Sequence, residues 1–265
     1  MASGGDGVRA LTGSVEAREA AWSEVHRLRI RVPDLGPALP GQYVLAGPLH
    51  SLQPLLLRPL LISGQSGAAA AAGIEALVSS GWGGSSPSEG LTDSHPLRMV
   101  GPLGKGFSAD SRTRRALLAG GGAGLGPLLY LARSLVDRGV EVTFVGRPEP
   151  DGRSMPGTLL PPEVEYVLPP GAQGYEDGAL LGAVDELLPW ADQLFLALPQ
   201  SLLPPLLDIL RRRLLRLRKG FAQALVLPGL LPCCVGACDL CTLPTRDGYR
   251  RLCRDGLVFE LLSLV

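Results

Sequence analysis

The stretch RRALLAGGGAGLGPLLYLARSLVDRG, residues 114–139, reads as one half of a parallel α/β unit. Residues 115–119 form a short apolar run, as a strand buried on both faces requires. Gly120-Gly121-Gly122-Ala123-Gly124 is a sharp turn, and Pro127 to Arg138 carries helical periodicity closed by Gly139. VEVTFVGR (140–147) supplies the next strand. In such a βαβ unit the exposed backbone N–H groups of the turn and the helix N-terminus favour a phosphate. The Gly-x-Gly-x-x-Gly fingerprint is not reproduced, because Gly120 and Gly122 are followed by Leu125, with Gly126 one place late. No Lys-Ser/Thr pair follows the turn, which speaks against an ATPase P-loop.

The pattern continues downstream. EVEYVLPPG (163–171), ADQLFLALP (191–199) and FAQALVLP (221–228) read as strands, with YEDGALLGAVDELLP (175–189) helical between the first two. Residues 201–220 read as a further helix, with Ser201 as N-cap and Gly220 at its end. Arg211, Arg212, Arg213, Arg216, Arg218 and Lys219 crowd its last turns, where the helix dipole favours cations.

Upstream, about 15 loose residues precede AWSEVHRLRIRVPD (21–34), whose alternation at Val25, Leu28, Ile30 and Val32 marks a half-buried strand. Short strands follow through Tyr43, Val44 and Leu45, over 52–63, and over 73–81. SGQSGAAAAAG (63–73) reads as a flexible hairpin loop and GWGGSSPSEG (81–90) as a surface loop. Strands this short and this regularly interrupted predict a small antiparallel barrel. Two of its segments could carry chemistry. Arg58, inside a run of leucines, needs an anionic or hydrogen-bonding partner, either a cofactor phosphate or a carboxylate at the strand end. Gly101-Pro102-Leu103-Gly104-Lys105-Gly106-Phe107 is a three-glycine turn that lets backbone approach something flat or charged.

All five cysteines of the 265-residue chain lie in CCVGACDLCTLPTRDGYRRLC, residues 233–253. Counted from Cys233, the spacing Cys-x4-Cys-x2-Cys-x11-Cys takes in Cys238, Cys241 and Cys253, the ligand rhythm of a plant-type [2Fe-2S] cluster. Structural zinc usually takes two Cys-x2-Cys knuckles, and only one is present. Cys234 is the surplus thiol; a count from Cys234 gives Cys-x3, so spacing leaves the first ligand open between the two. The expected organisation is a barrel over 1–108, an α/β domain over 109–224 and a cluster-binding tail over 225–265.

Bulk properties set bounds. Apolar residues make up 46%, and Lys+Arg and Asp+Glu number 25 each, so nothing draws the chain as a whole toward nucleic acid or an acidic membrane. No apolar h-region opens the chain, and Pro228 and Pro232 interrupt the long uncharged stretch from Phe221 to Cys238. Clustered cysteines without a secretory signal fit metal ligation in a reducing compartment, and a cytoplasmic location is expected.

Together these pieces resemble the electron-transfer subunit of the two-component, NAD-linked dihydroorotate dehydrogenases, within the ferredoxin-reductase superfamily. The resemblance rests on PGQYV (40–44), LRPLLIS (57–63), GPLGKGF (101–107), AGGGAGLGPL (119–128), CCVGACDLC (233–241) and GYRRLCRDGLVF (248–259). It implies an FAD-binding barrel, an NAD-binding α/β domain and a [2Fe-2S] tail. Arg58 would pair with the FAD pyrophosphate, with Pro59 beside it. Leu60, Leu61, Ile62 and Ser63, together with Gly101, Pro102, Leu103 and Gly104, would line the flavin. Gly121, Gly122 and Gly124 would cradle the NAD pyrophosphate. The implied partner is an FMN-containing catalytic subunit, two copies of each making a heterotetramer. The sequence departs from the family in three places. Arg-Pro-x-Ser ends in Leu61, Cys-Gly-Pro is replaced by Ala197-Leu198-Pro199, and the aromatic-Arg pair is reduced to Gly146-Arg147. Two other readings stand beside it: a related NAD(P)H-linked relay of the ferredoxin:NADP oxidoreductase or sulfide dehydrogenase type, and a non-catalytic, metal-stabilised partner module.

Overall fold

The computed structural model describes residues 9–50, 57–67, 72–79, 96–149, 151–169, 177–198, 200–213, 218–227, 231 and 233–264. Six strands, β1 (Ala10–Trp22), β2 (Val25–Arg31), β3 (Tyr43–Pro48), β4 (Arg58–Ser66), β5 (Gly73–Ser79) and β6 (Pro96–Leu103), close an antiparallel barrel in the order β1-β2-β5-β4-β3-β6. Leu28, Ile30, Val44, Leu60, Ile62 and Met99 fill its interior. The loop predicted over 81–90 and the leucines at 55 and 56 fall outside the described residues.

Residues 10–22, most of which were expected from sequence to be loose, form a 13-residue strand, and residues 1–8 lie outside the described residues. Only Val15 and Trp22 of β1 are buried apolar residues, so apolar alternation could not announce it. Backbone pairing holds it instead: Arg18 sits opposite Leu28 on β2, and Leu11 opposite Met99 on β6. Ser23, at φ 47°, turns the chain tightly from β1 into β2.

The second layer is β7 (Arg115–Gly120), α1 (Leu125–Val136), β8 (Glu141–Gly146), β9 (Glu165–Val167), α2 (Asp177–Leu187), β10 (Gln193–Leu198), α3 (Leu203–Arg213) and β11 (Ala222–Val226). Strands β11, β10, β7, β8 and β9 run parallel, with β10 and β11 buried along their whole length and β7 from Ala116 onward. Helix α1 ends where Gly139, at φ 72°, donates its N–H to Val136 O at 2.8 Å. Ser201 does not cap α3; it lies in a 3-10 turn over Gln200–Leu202. The α-helix begins after that turn, with Pro204 and Pro205 in its first turn, where a missing N–H costs nothing. Arg213, in its last turn, pairs with Asp185 of α2 at 2.6 Å.

The tail adds a β-hairpin, β12 (Thr242–Thr245) with β13 (Gly248–Arg251), then a short helix α4 (Leu252–Asp255) and β14 (Val258–Glu260). β14 returns to the edge of the parallel sheet and pairs antiparallel with β11, Leu225 opposite Val258. Among the described residues no helix is long and apolar enough to cross a membrane.

Two buried glutamines fix the linker between barrel and sheet. Gln223 exchanges two hydrogen bonds with the Ser108 backbone, at 2.9 and 2.5 Å. Gln193 accepts from Asp110 N (2.9 Å) and Thr113 Oγ1 (2.5 Å) and donates to Gly220 O (2.5 Å). Gln193→Leu strands three polar groups at a position 3% exposed, and a loss of about 3 kcal/mol is expected in urea unfolding. A loss under about 0.5 kcal/mol would show that the linker is held by other contacts.

Candidate metal centre and nucleotide turn

Residues 233–241 form an irregular loop between β11 and β12, wound tightly by three left-handed residues: Cys234 (φ 54°), Gly236 (φ 74°) and Asp239 (φ 54°). Gly236 permits this winding and the close packing of the Arg254 stem against it. The loop turns its backbone N–H groups on Cys233, whose sulfur lies 3.4 Å from Ala237 N. The N–H groups of Val235, Cys238 and Ala237 and the Cys238 thiol bring the Cys233 pKa down, favouring the thiolate.

Cys241 and Cys253 lie deeper, both buried. Cys253 enters from α4, and burial, then the neighbouring Cys241 thiol, push it up to about 12 without a metal. The four thiols thus meet as two pairs, Cys233 with Cys238 and Cys241 with Cys253. Four thiols are the donor set that an iron-sulfur cluster takes. Among the described residues no three His, Cys, Asp or Glu side chains gather round a single ion. Cys234 stands apart: its thiol donates to Leu231 O at 2.9 Å, and burial pushes it up to about 11. An ion pair from Arg251 to Asp239 ties the loop to the hairpin, and Asp255 Oδ2 accepts the Arg251 N–H at 2.8 Å at the head of α4.

The module sits directly on the barrel. Tyr43 of β3 is fully buried, and its hydroxyl reaches Cys253 O at 3.5 Å. Burial, followed by the charges of Cys234, Cys253 and Cys241, holds this phenol well above its usual pKa. Beside it two glycines touch through their backbones. A Cβ on Gly256 (φ 95°) would stand 2.6 Å from Lys105 N and 3.1 Å from Gly104 Cα. Gly104 (φ 80°) packs in turn on the Tyr43 ring, and Gln42 Nε2 donates to Gly104 O at 2.9 Å. The turn that follows Cys253 and the turn that ends β6 are therefore in van der Waals contact.

The residues expected at the flavin lie on both sides of β3, where Tyr43 pairs with Leu61 of β4 and Leu103 of β6. Their side chains do not all face one way. Leu60 and Ile62 point into the barrel, whereas Leu61 joins Tyr43 in the core shared with the α/β domain. Ser63 is buried beneath α1, with Gly126 so close that a Cβ there would stand 3.1 Å from Ser63 Cβ. Arg133 Nη1 also donates to Ser63 O at 3.3 Å. Arg58, Pro59, Pro102, Leu103 and Gly104 remain half-buried, and they are the part of the set open to a ligand.

At the nucleotide turn, Gly122 (φ 60°) faces open space, with nothing within 4 Å of a Cβ built there. A Cβ on Gly121 would stand 3.0 Å from Arg147 Cβ, and one on Gly124 2.9 Å from Ala197 Cβ, so neither position has room for a side chain. Ala197, which stands where the resembled family usually has a cysteine, packs beneath Gly120 and Gly124. Tyr43, Gly256, Trp22 and Glu149 had no role in the sequence reading. Only Tyr43 and Gly256 carried a signal, through the PGQYV and CRDG stretches.

Comparison with known proteins converges on the same region. Residues 230–264 match the family model of the iron-sulfur cluster binding domain of dihydroorotate dehydrogenase B. The dihydroorotate dehydrogenase B (NAD(+)) electron transfer subunit of Geobacillus thermodenitrificans (strain NG80-2) is 32% identical over 190 residues, covering 66% of this chain and 68% of its own. That of Clostridium perfringens (strain 13 / Type A) is 27% identical over 173 residues, 63% of this chain and 66% of its own. The matched stretch thus spans about two thirds of these relatives' length. Among solved structures, an NADH-dependent reduced ferredoxin-NADP oxidoreductase superposes with a TM-score of 0.75 at 20% identity, over 99% of this chain and 91% of that one. A ferredoxin reductase of carbazole 1,9a-dioxygenase follows at 0.63 and 19%, over 79% and 65%. These two likenesses bear on the fold: a barrel, then a nucleotide-type sheet. The 32% identity to the Geobacillus subunit, over 68% of that protein's length, shows that the chain belongs to the family of dihydroorotate dehydrogenase B (NAD(+)) electron transfer subunits.

Proposed function

We propose that this chain is an oxidoreductase subunit that relays electrons between an FMN-containing dihydroorotate dehydrogenase catalytic subunit and NAD+. Two copies of each subunit would assemble as a cytoplasmic heterotetramer. When bound, a [2Fe-2S] cluster supplies one-electron transfer and FAD converts between one- and two-electron steps. The observation that carries this reading is the junction of the cysteine module with the barrel: Cys253 O on Tyr43, and Gly256 on Gly104.

In this reading Cys233, Cys238, Cys241 and Cys253 are the cluster ligands and Cys234 is not. The N–H groups converging on Cys233 stabilise a thiolate, the form a metal needs, whereas Cys234 keeps its proton for Leu231 O. Arg58 and Pro59 at the head of β4, with Pro102 to Gly104 at the end of β6, would hold the flavin. Gly121, Gly122 and Gly124, ahead of α1, would hold the dinucleotide pyrophosphate. No side chain needs to act as a strong acid or base; the chain binds, orients and spaces the redox groups.

Metal and flavin analysis of the purified protein tests this directly. About two irons, two acid-labile sulfides and one FAD per chain are expected. Zinc without flavin would instead identify a metal-stabilised partner module. Co-purification with a catalytic subunit that oxidises dihydroorotate tests the partner.

A further inference from the structure

Helix α1 begins directly after the glycine turn and lies against the barrel along one face, marked by Gly126, Tyr130 and Arg133 at spacing i, i+4 and i+7. At Gly126 there is no slack: a Cβ there would stand 3.1 Å from Ser63 Cβ on β4 and 3.6 Å from Leu77 Cβ on β5. One turn on, the Tyr130 hydroxyl donates to Ala38 O at 2.9 Å. Ala38 belongs to the loop between β2 and β3, which Gln65 of β4 holds through Ala38 N (2.9 Å) and Gly36 O (3.0 Å). Arg133 spreads its guanidinium over two backbone oxygens: Nη1 donates to Ser63 O and Nη2 to Leu159 O, both at 3.3 Å. Leu159 closes a 3-10 turn between β8 and β9, so this one side chain joins the barrel to the sheet domain. A β-bulge makes the first of these bonds possible. The β4–β5 register shifts between Ile62 and Gly64, which leaves Ser63 without a partner on β5 and turns its carbonyl to α1. Gly64, with no side chain, lets the guanidinium lie across the strand; a Cβ there would stand 3.3 Å from Nη1.

We propose that Tyr130 and Arg133 are positioning residues that hold the glycine turn at a fixed distance from β4, and so set how closely the dinucleotide approaches the flavin. All three acceptors are main-chain carbonyls, which cannot swing aside as a side chain could, so the two donors register α1 against the backbone itself. Burial does not call for either polar group, since an apolar residue at each position would cover the same surface. What the hydroxyl and the guanidinium add is direction. Gly121, Gly122 and Gly124 lie just ahead of α1, and Arg58 and Pro59 open β4, the strand that Arg133 grips at Ser63. A helix and a paired strand are both stiff, so a slide of α1 along β4 would carry the turn away from the head of that strand. Arg133 resists the slide, and Tyr130 resists a tilt away from the barrel loop. The inference rests on reading the glycine turn as the dinucleotide cradle and the head of β4 as part of the flavin site.

Stopped-flow reduction of the cofactor-loaded protein by NADH, followed as loss of flavin absorbance, tests it in Y130F, R133M and the double variant. The double variant should be reduced about tenfold more slowly, since a displacement on the order of an ångström far from the chemistry is enough. Its affinity for NAD+, read by calorimetry, should stay within about twofold of wild type, with FAD and iron content unchanged. The long-wavelength charge-transfer absorption of NAD+ with the reduced flavin should weaken in parallel, a readout that needs no turnover. R133K, which keeps a donor at this position, should recover part of the rate. A double variant reduced at the wild-type rate overturns the proposal. So does one that loses rate and NAD+ affinity together, since the cradle would then be damaged rather than displaced. Should the double variant fail to hold FAD, Y130F decides: reduction about threefold slower supports the proposal, and the wild-type rate overturns it. If wild type holds FAD but NADH does not reduce it, the NAD arm of the proposed function fails and takes this inference with it.

Discussion

Replacing Cys253 with alanine is expected to eliminate the visible absorption of the cluster, with iron falling from about two per chain to a trace. Cys253 is 7% exposed and paired with Cys241, and no other described thiol can take its place. Cys234, the fifth, is committed to Leu231 O. Cys234→Ala should therefore keep full iron content, and the two variants together separate a ligand from a bystander. Metal analysis and the electron paramagnetic resonance signal of the reduced protein provide the readout. Iron lost from Cys234→Ala and retained in Cys233→Ala would reverse the assignment of the first ligand. In the metal-free chain Cys253→Ala should cost only about 1 kcal/mol, since one buried sulfur is removed. The larger effect, in the loaded protein, comes from losing whatever metal binding adds to the folded state.

The second large effect falls on a residue with no side chain. Gly256→Ala should destabilise the protein by about 3 kcal/mol, combining the strain of a positive φ with a direct clash. Its Cβ would stand 2.6 Å from Lys105 N, a backbone atom that cannot swing aside. Gly248→Ala is the control. It too has a positive φ, 105°, but open space where the Cβ would go, so only about 1 kcal/mol is expected. Thermal and urea unfolding of the two variants compare strain alone with strain plus contact. Equal losses would mean that the β6 turn and the turn after Cys253 are not pressed together in solution. If they are, Gly256→Ala should also slow electron transfer between cluster and flavin, because the added carbon pushes the two turns apart.

Much of this was legible in the residues themselves. The glycine turn, the strand alternation of β2 and the cysteine spacing are local patterns, and local patterns survive in sequence. What escaped was non-local. β1 has few apolar residues to bury, and it is a strand because β2 and β6 offer it backbone partners. β14 is three residues long, and its partner Leu225 lies more than thirty positions earlier. Trp22 and Glu149 belong to different layers, and only the folded chain brings the indole to the carboxylate. Tyr43 read as an ordinary strand residue, because nothing in PGQYV announces that Cys253 will arrive above it.

The return of β14 has an engineering consequence. Val226 N meets Leu257 O at 2.8 Å, so the whole excursion between them leaves and re-enters the sheet at one point. The redox module is topologically a hairpin loop that has been lengthened, and a two-residue turn could close the same gap. A chain shortened that way would keep β11 and β14 paired, giving a relay with its terminal removed. Conversely, the same pair of strand ends is a socket: a different metal loop whose ends lie as close could be grafted there without redesigning the sheet.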